Sequence, residues 1–83
     1  MLWPTPIKVF VVDDSAFMRR MITAMLEEDP QIRVVGYARE GKEALEKIQR
    51  LKPDVVTLDV EMPGLGGIET LKALMDIQPL PVV

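Results

Sequence analysis

At 83 residues, with 48% apolar and 28% charged side chains, the chain has room for one small domain and is too apolar to be disordered throughout. It contains no cysteine and no histidine, which removes disulfides, thiolate or imidazole metal ligands and Ser–His–Asp catalysis; any metal site must be all-oxygen and suited to Mg²⁺, Mn²⁺ or Ca²⁺. A net charge of −3, the lack of a Lys/Arg run, of a membrane-length apolar stretch and of a signal-peptide pattern point away from nucleic acid and membranes and toward the cytoplasm.

Met1–Pro6 reads as a short, proline-broken tail in which Trp3 is surface cover or disordered. Ile7–Val12 is a β-branched run that ends abruptly in Asp13 and Asp14, the pattern of a buried strand. Ser15 is placed to cap a helix whose Met18, Met21, Ile22, Met25 and Leu26 recur at helical spacing, a stripe expected to lie in the core. Asp29-Pro30 stops that helix, and Ile32–Ala38 reads as the second strand.

Glu40-Gly41 opens a second helix with Ala44, Leu45, Ile48 and Leu51 on one face. Lys42–Glu46 and Glu43–Lys47 form i,i+4 pairs suited to a solvated outer face. Lys52-Pro53 ends the helix, and Val55–Leu58 forms a third strand closed by Asp59. A loop rich in breakers, Met62–Gly67, leads to a third helix with Ile68, Leu71, Leu74 and Met75 expected inside. Pro79–Val83 begins a fourth strand.

The order βαβαβαβ requires a parallel sheet with crossover helices. Right-handed crossovers favour the order 2-1-3-4, with a switch point between the first and third strands where ligands bind at the carboxyl ends. Asp13, Asp14 and Asp59 stand at those ends. Carboxylates a few ångströms apart repel by about 4 kcal/mol per pair at an effective dielectric near 20. Mg²⁺ removes that penalty and keeps open positions for phosphate oxygens, and a carboxylate left free beside it can attack phosphorus. Asp59, alone on its strand, is the better nucleophile; Asp13 and Asp14 are the metal end. A dipole-stabilising charge at a helix start explains Asp13 alone, but not three aspartates at one switch point.

Val11-Val12-Asp13-Asp14-Ser15 and Thr57-Leu58-Asp59-Val60-Glu61-Met62-Pro63-Gly64 resemble the acidic pair and phosphoacceptor strand of response-regulator receiver domains, a likeness that runs over residues 7–83. Asp13–Arg20, Leu58–Pro63 and Pro79–Val83 are most similar to the receivers of chemotaxis protein-glutamate methylesterases. The resemblance implies a flavodoxin-like, doubly wound α/β fold. It implies Asp59 as phosphoacceptor, with Mg²⁺ held by Asp13, Asp14, Asp59 and the backbone carbonyl of Glu61. It further implies a chemotaxis-type sensor histidine kinase as phosphodonor and a methylesterase output domain outside these residues.

The departures from the family pattern are Gly66-Gly67, where an aspartate usually precedes the final glycine, and truncation. The hydroxyl residue after the family's fourth strand and the lysine ending its fifth have no counterpart here. The segment is therefore expected to be a fragment or one portion of a chimera, able to self-associate or be complemented through the open edge of Leu80–Val83. The family's last helix packs beside its first, so part of the Met18–Leu26 stripe is expected to be uncovered. Two other readings stay open: an idle structural fragment, and an aspartate-nucleophile phosphatase with Glu61 as acid/base.

Overall fold

The computed structural model describes residues 6–59, 67–77 and 81–83. The elements run β1 (Ile7–Val12), α1 (Ala16–Leu26), β2 (Ile32–Ala38), α2 (Gly41–Leu51), β3 (Val55–Leu58) and α3 (Gly67–Ile77). The strands are parallel in the order β2-β1-β3. Val82 then makes a parallel bridge to Val56, with Val83 N–H donating to the Val56 carbonyl and Leu58 N–H to the Val83 carbonyl. Residues 81–83 of the fourth segment thus lie beside β3, as the order 2-1-3-4 expects, joined by a single bridge, while residues 78–80 lie outside the described residues.

β1 is the central strand, and Val9, Phe10, Val11 and Val12 are all buried because helices cover both faces. Alternation sends Phe10 and Val12 to one face, where they join Ala38, Ala44, Ile48, Val56 and Leu74 in the main core. Val9, Val11 and Thr57 fall on the opposite face, toward α1. Lys8 and Asp54 clamp the base of the sheet: Lys8 N–H donates to the Asp54 carboxylate at 2.8 Å and Asp54 N–H to the Lys8 carbonyl at 2.7 Å.

The register of β1 on β2 shifts between Val9 and Phe10, leaving Val35 as the extra residue of a bulge. Gly36 follows it, opposite Phe10. A Cβ at Gly36 would lie 2.8 Å from Leu51 Cδ1 and 3.1 Å from Phe10 Cε2, so only glycine lets α2 approach the strand this closely.

The outer edge of β2 would expose unpaired backbone groups, but side chains and a turn carbonyl occupy them. Ile32 N–H donates to the Asp29 carbonyl, Val34 N–H to the Glu27 carboxylate and Arg39 N–H to the Glu43 carboxylate, while Lys47 Nζ donates to the Tyr37 carbonyl. The edge is closed from within the chain.

α2 starts at Glu40, whose side chain accepts from Glu43 N–H at 2.6 Å, and ends at Lys52 in the left-handed conformation (φ 51°). Ala44 and Ile48 are buried, and Leu45 and Leu51 pack against the core. The Glu43–Lys47 pair closes at 3.0 Å, yet it is more than solvated decoration, since both residues also hold β2.

Two expectations need correction. α1 is capped by Ser15 as expected, its Oγ accepting from Met18 N–H at 3.2 Å, but it buries none of its residues. Phe17, Met18, Met21 and Met25 are exposed while Ile22 and Leu26 are half-buried, so the core reading of the stripe fails and the expectation that part of it is uncovered holds. The half-buried face of α1 is Arg19, Ile22, Thr23 and Leu26 at i, i+3, i+4 and i+7, a phase that turns Phe17 and the methionines to the side or away from the sheet. In α3, Leu74 is buried, Met75 packs on the core and Leu71 is half-buried, but Ile68 is exposed and Thr70 is buried instead. Thr70 and Leu74 share the inward face at i,i+4 spacing, which turns Ile68, two residues earlier, roughly 200° away. The tail residues 1–5 and the loop residues 60–66 lie outside the described residues.

Candidate functional site

The strand ladder carries past the ends of the strands into the acidic cluster. Asp13 N–H donates to the Ala38 carbonyl at 3.1 Å, tying the end of β1 to β2. Asp59 N–H donates to the Val12 carbonyl at 3.0 Å, tying the end of β3 to β1. Both aspartates therefore take their positions from the sheet.

Asp13 is buried, at 8% exposure, and its Oδ1 accepts from Ser15 N–H at 2.9 Å. That bond turns the chain from the strand into the capped first turn of α1. Asp14 is exposed and Asp59 half-buried. One carboxylate oxygen of each lies within 4.8 Å of the others. The three residues that the sequence placed at the switch point are brought together; Glu61 lies outside the described residues. Three carboxylates at this spacing form a hard, all-oxygen set that fits a divalent cation sharing its shell with water or phosphate.

Two neighbours of the site escaped the sequence reading. Arg19 Nη1 donates to the Asp13 carbonyl at 2.8 Å, and its guanidinium carbon stands 4.8 Å from the Tyr37 ring centroid. Tyr37, 51% exposed on the edge strand, also lies 5.1 Å from Lys47 Nζ. Helical spacing sets Arg19 beside Ile22 and Leu26, at i,i+3 and i,i+7, but only the crossing of α1 over β2 brings it to Tyr37. Arg19 and Tyr37 also help line an open groove of about 640 Å³ between α1 and β2, which none of the three carboxylates lines.

Residues 9–83 match the family described as the response regulator receiver domain. The chain belongs to that family. It is 65% identical over 77 residues to a protein-glutamate methylesterase/protein-glutamine glutaminase of Halalkalibacterium halodurans and 60% identical over 77 residues to that of Bacillus subtilis. In each case 93% of this chain aligns with 22% of the relative, so it spans little more than a fifth of those proteins.

Among solved structures, the response regulator domain of Thermotoga maritima CheB superposes with a TM-score of 0.90 at 52% identity, covering 93% of this chain and 57% of that one. A CheX–CheY–BeF3–Mg²⁺ complex from Borrelia burgdorferi matches at 0.87 and 31% identity, covering 94% of this chain and 60% of that one. The flavodoxin-like order, with its acidic cluster at the carboxyl ends of β1 and β3, is therefore the receiver arrangement, and the similarity is to receivers of the CheB type. No helix among the described residues is long and apolar enough to cross a membrane.

Proposed function

We propose that this chain is the phospho-accepting receiver of a chemotaxis response regulator, working in the cytoplasm, with Asp59 as the phosphoacceptor and Asp13 and Asp14 as its metal-binding carboxylates. The observation that carries the reading is the convergence of three carboxylates within 4.8 Å on the ends of two paired strands. Receiver domains bind Mg²⁺ through such an aspartate cluster, and the Borrelia burgdorferi complex contains Mg²⁺. When bound, the cation would neutralise charge on the transferring phosphoryl group. The backbone carbonyl of Glu61 would complete the protein ligands.

The chain's own residues divide the remaining work. Asp59, fixed by its N–H bond to Val12, presents a carboxylate oxygen as nucleophile. That oxygen forms a bond to phosphorus while the P–N bond of a kinase phosphohistidine breaks, and the leaving imidazole takes up a proton. The product is an acyl phosphate on Asp59. In a longer protein of the kind this chain resembles, the change would regulate a methylesterase output domain.

Incubation with a small phosphodonor tests the reading. Stoichiometric, Mg²⁺-dependent labelling that disappears in Asp59→Asn is expected. Labelling that survives this substitution sinks the assignment of Asp59. Repeated turnover of a phosphate ester would point instead to an aspartate-nucleophile phosphatase.

A further inference from the structure

Asp14 is the least supported of the three carboxylates: it is exposed, and among the described residues no hydrogen bond holds its side chain. Its direction therefore depends on its backbone. The peptide unit joining Asp13 to Asp14 is planar, so fixing the Asp13 carbonyl oxygen also fixes the plane that carries the Asp14 nitrogen. The only soft torsions left before the Asp14 carboxylate are then its own φ and side-chain angles.

Arg19 holds that oxygen. Its Nη1 donates to the Asp13 carbonyl at 2.8 Å, a bond strengthened by the donor's charge. Asp13 is also held at its N–H by Ala38 and at Oδ1 by Ser15, so the Arg19 bond completes its anchoring to the protein. The guanidinium is steadied in turn. It lies over the Tyr37 ring, and Tyr37 is tied through its carbonyl to Lys47, which pairs with Glu43. Arg19 makes no ion pair within 4.0 Å among the described residues, where the one salt bridge is Lys47–Glu43. It addresses the main chain rather than a carboxylate.

We infer that Arg19 is a positioning residue for the acidic site, setting the Asp13–Asp14 peptide plane so that Asp14 points into the cluster, with Tyr37 as its support. The inference rests on the reading of the cluster as a Mg²⁺ site. Groups that orient metal ligands without touching the metal typically contribute about tenfold or more in affinity. Tyr37 acts at one further remove, and its loss should cost less than that of Arg19.

Calorimetric titration of the 83-residue chain with Mg²⁺ tests this, alongside thermal melting and the carbonyl ¹³C resonance of Asp13. Arg19→Met is expected to weaken Mg²⁺ binding about tenfold and shift the Asp13 carbonyl resonance, while the chain still melts cooperatively. Tyr37→Leu should weaken binding by a smaller factor. Arg20→Met removes the same charge one residue away without touching the carbonyl, and should leave affinity unchanged.

Equal losses in Arg19→Met and Arg20→Met would show that net charge rather than positioning is at work and would overturn the inference. Unchanged affinity in Arg19→Met would overturn it as well. If Arg19→Met fails to fold, Arg19→Lys keeps the charge and stem but not the planar fork, and wild-type affinity with an unmoved Asp13 resonance there would count against the role. Failure of the wild-type chain to bind Mg²⁺ would remove the site reading itself. Binding abolished by Asp14→Asn but indifferent to Arg19→Met would remove only the role of Arg19.

Discussion

Helices α1 and α2 are each eleven residues long and each carries an apolar stripe, yet they meet the sheet in opposite ways. α2 buries Ala44 and Ile48 completely and shares its face of the sheet with Leu74 of α3. α1 shields Val9 and Val11 beneath it but buries nothing of its own, leaving Phe17, Met18, Met21 and Met25 exposed. The difference is one of phase as well as of neighbours: the face α1 turns to the sheet is Arg19, Ile22, Thr23 and Leu26, all half-buried, and the methionines lie to its side or behind it. A helix flanked by another helix can bury its sides as well as its underside, and a helix alone on a sheet cannot.

The largest expected effect lies on the α2 face. Ile48→Ala should cost about 2–5 kcal/mol, enough to unfold much of a domain this small, whereas Met21→Ala on α1 should cost under about 1 kcal/mol. Urea denaturation followed by circular dichroism would read both, and similar losses would erase the contrast between the helices. Next comes Gly36→Ala, which places a methyl against Leu51 and Phe10 beneath α2 and should cost about 1–3 kcal/mol by the same measurement.

Thr57 sharpens the comparison from the α1 side. Its hydroxyl oxygen is buried without a hydrogen-bond partner among the described residues, so Thr57→Val should leave stability unchanged or raise it by about 1 kcal/mol. A clear loss would reveal a partner for that hydroxyl.

The smallest effect concerns pH. Glu43 is held below the usual carboxylate range chiefly by the Arg39 N–H, then by the Lys47 side chain. A carboxyl that is more acidic folded than unfolded stabilises fully above its unfolded pKa, and the contribution fades as pH falls through the folded one. Glu43→Gln should therefore flatten the acid limb of a stability–pH curve slightly and leave neutral pH nearly unaffected. An apolar dye should bind to α1 of the folded chain, and Met25→Lys should reduce that binding without lowering the melting temperature.

Much of the site was legible because its signal is local. A β-branched run that stops at an aspartate marks both a buried strand and a group at its mouth, and Ile7–Asp14 and Val55–Asp59 each show it. The capping role of Ser15 is local for the same reason. The exposure of Ile68 and the burial of Thr70 were not legible, because the two positions differ by helix phase against a sheet that the segment itself does not contain.

By itself, the sequence determined the parallel α/β order, the strand ends and the three aspartates that cluster there, because backbone periodicity and abrupt changes from apolar to charged act over a few residues. Only the tertiary structure decided which face α1 turns to the sheet, that side chains close the edge of β2, and that Arg19 reaches from α1 to both the Asp13 carbonyl and the Tyr37 ring. Each of those depends on which elements lie side by side, and that is fixed by packing across the whole sheet.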